Sequence, residues 1–138
     1  QQVKEMCEHF EVPFIPHFYP AVVRKLGCYR LHLPLPCLRE SPEVISSFHT
    51  IGTSIQSVAE AVEAEKLGAS YLTAGHIYVT DCKKGLPPRG LIFLQDVCSS
   101  VQIPVYGIGG IKIDGSQLHE LQNAGAAGGC VMSGMMQI

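Results

Sequence analysis

The 138-residue sequence contains no apolar run near the roughly 18–20 residues that cross a membrane. It also lacks a surplus of either charge. Ten basic and twelve acidic residues leave a formal net charge of −2, and only 16% of the chain is charged. This gives no electrostatic case for nucleic acid or for a membrane surface as a partner. There is no C-x-x-C. The six cysteines (Cys7, Cys28, Cys37, Cys82, Cys98 and Cys130) are scattered, and Cys28 and Cys130 sit inside apolar runs. They read as unpaired thiols of a cytoplasmic protein and not as a disulfide framework. The six histidines show neither H-x-x-x-H nor H-E-x-x-H spacing. The opening residues, QQVKEMCEHF, are amphipathic and are expected to be neither a signal nor a transit peptide.

What is present is enough hydrophobic residue, 46%, for one core, so residues 1–138 are expected to form one domain. Val3, Met6, Cys7 and Phe10 recur at helical spacing. Strands are expected at 12–15, 28–33, 50–54, 69–74, 103–108 and 128–132, with helices or helical turns between them. Pro20 suits the first turn of a brief helix, and Pro34 and Pro36 end the second strand. Ser41-Pro42-Glu43 opens a short helix. Ser57-x-x-Glu60 is a capping box, and Asp114 or Ser116 is the expected cap of the last helix. The strand cores are nearly continuous in apolar residues, as in parallel strands covered on both faces.

Alternating strands and helices, with Leu67-Gly68-Ala69 echoed at Ala124-Gly125-Ala126, suggest an α/β barrel. A doubly wound sheet is the rival. A (β/α)8 barrel has eight strands and six are expected here. The chain therefore reads as a partial barrel without its first two strands and its last helix, either a fragment or completed by another chain.

Barrel chemistry gathers where strands end. The stretch Tyr71–Arg89, YLTAGHIYVTDCKKGLPPR, is the richest such exit. His76 follows Gly75 directly, ahead of Thr80, Asp81, Cys82, Lys83 and Lys84. An imidazole can take and return a proton near neutral pH, so His76 is the candidate acid/base. Lys83 and Lys84 read equally as a solvated pair or as neighbours of an anionic substrate. Cys82 has no adjacent base to make it a nucleophile. Asp81 has no second carboxylate at another strand exit to share a magnesium ion. Strand 50–54 supplies Thr53 and Ser54. The last two strands end in Gly109-Gly110 and Met132-Ser133-Gly134. There, backbone N–H groups and a helix start could converge on a phosphate.

Three segments carry a family resemblance: GTSIQSVAEAVEAEKLGASYLTAGHIYVTDCKKG, IPVYGIGGI and AGAAGGCVMSG. Together they resemble the thiamine phosphate synthase/TenI superfamily of (β/α)8 barrels, over most of the chain. The synthases in that superfamily use magnesium. They carry Asn-Asp-Arg at one strand exit and an aspartate after the next, where this chain has Pro16-His17-Phe18 and Pro34-Leu35-Pro36-Cys37. Gly75-His76 and the Thr80–Gly85 stretch are closer to the TenI branch. The resemblance implies a thiazole tautomerase that needs no cofactor or metal and acts on a small-molecule thiazole phosphate. It implies that His76 is the acid/base and that Gly109, Gly110, Met132 and Ser133 hold phosphate. Thr80, Asp81 and Cys82 would line the thiazole, with Ser54 near the substrate. Lys83 matches the pyrophosphate lysine of the synthases. A synthase-like enzyme and a non-catalytic phosphate-ligand regulator are the alternatives, and a homo-oligomer is left open.

Overall fold

In the computed structural model, which describes residues 1–137, five parallel strands lie side by side in chain order. They are β1 (Arg30–Pro34), β2 (Thr50–Ile55), β3 (Tyr71–Gly75), β4 (Val105–Ile108) and β5 (Gly128–Cys130). Helices α1 (Gln2–His9) and α2 (Pro20–Lys25) precede β1. Helices α3 (Leu35–Glu40) and α4 (Pro42–Ser46) connect β1 to β2. Helices α5 (Val58–Lys66), α6 (Gly90–Ser100) and α7 (Leu118–Asn123) supply the later crossovers. Short 3₁₀ turns cover Asp81–Lys83 and Ser133–Gln137. The architecture is α/β with a five-stranded parallel sheet.

The pleat sorts side chains by parity. Leu31, Leu33, Ile51, Ile55, Leu72, Ala74 and Val105 are buried toward the helices. Leu94 and Val97 of α6 and Ala61 and Ala64 of α5 close over them. The opposite face carries His32, Ser54, Tyr71, Thr73, Tyr106 and Cys130, placed together by the pairings Gly52↔Tyr71, Ser54↔Thr73, Thr73↔Tyr106 and Ile108↔Cys130. The expectation of continuous apolar strand cores therefore holds for one face only. The other face is mostly polar and aromatic.

Three expectations change. Residues 12–15 form no strand. Pro13 and Pro16 offer no N–H, and the segment pairs with β1 only at His17, through Phe18 N to His32 O (3.1 Å) and His32 N to Pro16 O (2.9 Å). Pro34 does end β1, but Pro36 sits in the first turn of α3 and helps to start it. Neither Asp114 nor Ser116 caps α7. Gln117 holds that position, while the Asp114 carboxylate accepts from the Ser116 N–H at 2.9 Å. The apolar face of α1 is exposed at Val3, Met6 and Phe10.

The capping box forms as read. Ser57 Oγ accepts from the Glu60 N–H at 3.1 Å, and the Glu60 carboxylate takes the Gln56 N–H at 2.6 Å. Thr53 is different. It faces the helices at 0% exposure, and its hydroxyl has no partner among the described residues. It is therefore a core residue and not part of the strand-exit chemistry. Thr53→Val is expected to raise stability by about 1 kcal/mol, because an unpaired buried hydroxyl costs about 1–3 kcal/mol. Urea unfolding checks this, and a destabilised variant would refute it.

Candidate active site

Beyond the C-terminal ends of β2 to β5 lies a cleft of about 240 Å³. Ser54 and Thr73 line its inner wall. His76, Thr80, Cys82 and Lys83 come from the loop after β3, and Gly109, Gly110, Met132 and Ser133 come from the last two strand exits. The fold thus brings together nine of the ten residues that the family resemblance assigns to the site. The exception is Asp81. Its side chain is 97% exposed and faces Lys84 at 3.9 Å, along a neighbouring groove. The 3₁₀ turn explains this. Thr80 caps it by accepting from the Cys82 N–H at 3.4 Å, which turns Asp81 outward.

His76 is buried at 9% exposure and its backbone is held on both sides. Arg89 N donates to His76 O at 2.9 Å, Ile77 N to Ile108 O at 2.9 Å, and Tyr78 N to Gly109 O at 3.0 Å. The chain after β3 therefore keeps following β4 past its end. One ring nitrogen, Nε2, lies 3.4 Å from the Leu86 carbonyl. A carbonyl can only accept, so that nitrogen carries the proton, and Nδ1 is left as the base.

Gly109 and Gly110 pass beneath this segment with φ of +98° and +70°. A Cβ on Gly109 would strike His76, and one on Gly110 would lie 2.8 Å from Tyr78 Cβ. The N–H groups of both glycines donate to no acceptor among the described residues. Gln117 braces the loop, with Nε2 donating to Gly110 O at 3.3 Å and Oε1 accepting from Lys112 N at 2.8 Å. No helix begins at the glycines. Helix α7 starts eight residues later, so an anion here would be held by loop N–H groups without a helix dipole.

Sequence reasoning missed a second feature. On the inner face, Tyr71 OH, His32 and Ser54 are joined by bonds of 2.9 Å to each ring nitrogen of His32, and Ser54 Oγ meets Thr73 Oγ1 at 2.8 Å. His17 stacks on His32 with centroids 4.6 Å apart. The signal was the alternation Leu31-His32-Leu33, which places one polar side chain opposite two apolar ones.

Burial, and then the neighbouring His17 ring, push the His32 imidazole down to about 4 from the ordinary 6.5. Burial first pushes the Tyr71 phenol up to about 12. His32 is therefore neutral at pH 7. Between about pH 6.5 and pH 4 the unfolded chain holds the extra proton, so stability falls as the pH is lowered through that window. Each pH unit is worth at most about 1.4 kcal/mol. From pH 7 to pH 4 the protein should lose roughly 2–3 kcal/mol more than His32→Gln. Urea unfolding at the two pH values measures this, and equal losses would refute it.

The sequence and the fold have known counterparts. The family model described as "Thiamine monophosphate synthase" matches residues 1–135. The chain belongs to the thiamine monophosphate synthase family. The thiamine-phosphate synthase of Fusobacterium nucleatum is 31% identical over 138 residues, covering 98% of this chain and 66% of that protein. The thiamine-phosphate synthase of Listeria monocytogenes is 33% identical over 141 residues, covering 99% of this chain and 65% of that protein. The chain thus spans slightly under two thirds of such relatives. Among solved structures, the thiamine phosphate pyrophosphorylase from Pyrococcus furiosus superposes with a TM-score of 0.80 at 31% identity, over 97% of this chain and 64% of that one. These relatives carry synthase names, so the family expectation is met, while the narrower tautomerase expectation gains nothing from them. Among the described residues, no helix is long and apolar enough to cross a membrane.

Proposed function

We propose that the cleft binds a thiazole phosphate, with its phosphate on the Gly109–Gly110 and Met132–Ser133 loops, and that His76 moves a proton within the ring system. The observation that carries this reading is a cleft with a buried imidazole beside glycine N–H groups that, among the described residues, have no acceptor, and with no carboxylate among the described residues that line it. His76 Nδ1 takes the proton from the saturated ring carbon. The C–H bond electrons enter the ring, the exocyclic double bond takes up a proton from the imidazolium, and an aromatic thiazole results. Electrons balance without an oxidant. Lys83 supplies positive charge at the mouth. In this reading the residues belong to a (β/α)8 barrel of which this chain carries five paired strands.

The second reading, thiamine phosphate synthesis, is favoured by the names of relatives at 31–33% identity. The magnesium those enzymes are expected to use does not fit the residues here. The strand exits that should carry its carboxylates present Pro16-His17-Phe18 and Pro34-Leu35-Pro36. Glu60, the acid in the adjoining groove, already accepts from the Gln56 N–H. No step is therefore routed through a metal.

The two readings separate in one assay. The protein is given a carboxylated dihydrothiazole ethyl phosphate in one arm. The other arm contains a thiazole phosphate, a pyrimidine pyrophosphate and magnesium. Aromatisation in the first arm is expected. Thiamine phosphate in the second, with none in the first, would overturn the leading reading.

A further inference from the structure

His32 and Tyr71 touch nothing that the proposed proton shift requires, yet they are bonded in series to the cleft wall. In one direction of that series Tyr71 is the first donor and Thr73 the last. The Tyr71 hydroxyl has one acceptor among the described residues, His32 Nδ1 at 2.9 Å. A phenol that donates to Nδ1 leaves Nε2 as the protonated nitrogen of a neutral ring, so Nε2–H donates to Ser54 Oγ at 2.9 Å. Ser54 then donates to Thr73 Oγ1 at 2.8 Å. The Thr73 hydroxyl hydrogen is left over. Thr73 is buried at 7% exposure, lines the cleft, and meets no acceptor in the described chain. Bonds aligned in one direction polarise each other, so the last donor is stronger than an isolated hydroxyl.

We infer that Tyr71, His32, Ser54 and Thr73 form a one-way hydrogen-bond chain whose free end is a subsite for a ring-borne carboxylate, at the end of the cleft away from the glycine loops. His32 and Tyr71 are positioning residues here. They act by fixing the orientation of hydroxyls that touch the ligand. Gly52 provides the room for this. A Cβ at Gly52 would lie inside the Tyr71 ring, so the missing side chain lets the phenol lie across β2 and reach His32. Tyr106 packs edge-on against the same ring at 5.9 Å and holds it there. The inference rests on the thiazole phosphate reading of the cleft, which it extends to ligand selectivity.

The test binds two probes by calorimetry, a thiazole ethyl phosphate and the same compound carrying a 2-carboxylate. A hydrogen bond to a charged group supports about a tenfold preference for the carboxylated probe. Tyr71→Phe and His32→Leu should reduce that preference to about twofold or less while leaving the uncarboxylated probe unchanged. His32→Gln keeps an N–H for Ser54 and should restore part of it. Tyr71→Phe retains the ring packed on Tyr106, so it serves even where a His32 variant fails to fold. An independent reading comes from imidazole ¹⁵N shifts of the free protein, which should report the Nε2–H tautomer for His32. An unchanged preference in Tyr71→Phe, equal binding of both probes by the wild type, or an Nδ1–H tautomer would each overturn the inference. If neither probe binds, the thiazole phosphate reading itself falls, and the tautomer alone then decides the direction of the chain.

Discussion

His76→Asn is expected to slow aromatisation of a dihydrothiazole phosphate by about 10²–10⁴-fold, the range over which a positioned general acid/base contributes. Binding of the aromatic product should change little. The reason lies in what the side chain does and what holds it. Its backbone is fixed by bonds from Arg89 N to His76 O and from Ile77 N to Ile108 O, and neither depends on the imidazole. The substitution should therefore leave the loop in place. Asparagine can donate a hydrogen bond but cannot accept and return a proton near neutral pH, so the loss falls on the proton-transfer step. Steady-state kinetics separates the two cases: a drop in kcat with KM held supports the assignment. Equal rates for the two proteins would remove His76 from the chemistry and leave the cleft as a binding site.

How much of this was legible in the sequence depends on what each residue's signal encodes. Strand 50–54 and the Ser57–Glu60 box are legible almost to the residue, because a β-branched run and a capping box are local patterns. Helix α3 is not legible in the sequence because Pro34 and Pro36 both read as terminators. A proline ends a strand and begins a helix with the same fixed φ, and only the following residues decide which applies. Residues 12–15 looked like a strand by composition. Pairing needs donors, and Pro13 and Pro16 have none.

The site shows the same division. Its glycines and His76 sit next to each other at strand exits, so fold class alone placed them together. The Tyr71–His32–Ser54–Thr73 chain joins three strands, through the register of β1 with β2 and of β2 with β3. Register is not written in any one segment, and a lone histidine between two leucines carries little weight until its cross-strand neighbours are known. Asp81 shows the converse. It is close in sequence to the cleft residues, yet its exposed side chain lies along the neighbouring groove, because a 3₁₀ turn rotates successive side chains by about a third of a circle.

The second large effect is expected at Gly109. Gly109→Ala should abolish phosphate binding in the cleft and lower stability through two separable costs. The first is conformational. The residue sits at φ +98°, where a Cβ costs about 1–2 kcal/mol. The second is steric. The new methyl would strike His76 Cβ and lie 2.8 Å from His76 Cα, so the backbone at Gly75–Ile77 would have to move. Overpacking of this kind typically adds about 1–3 kcal/mol. Because the clash falls on His76 itself, binding and proton transfer should fail together.

Gly115→Ala is the control. It carries φ +75°, and a Cβ there meets only Leu118 Cδ1, at 3.8 Å. It should show the conformational cost without loss of the site. Calorimetric titration with inorganic phosphate, alongside urea unfolding of both variants, makes the comparison. Phosphate binding retained in a folded Gly109→Ala protein would show that the anion sits elsewhere. Its loss in Gly115→Ala as well would show that general loop strain, and not the contact with His76, sets the effect.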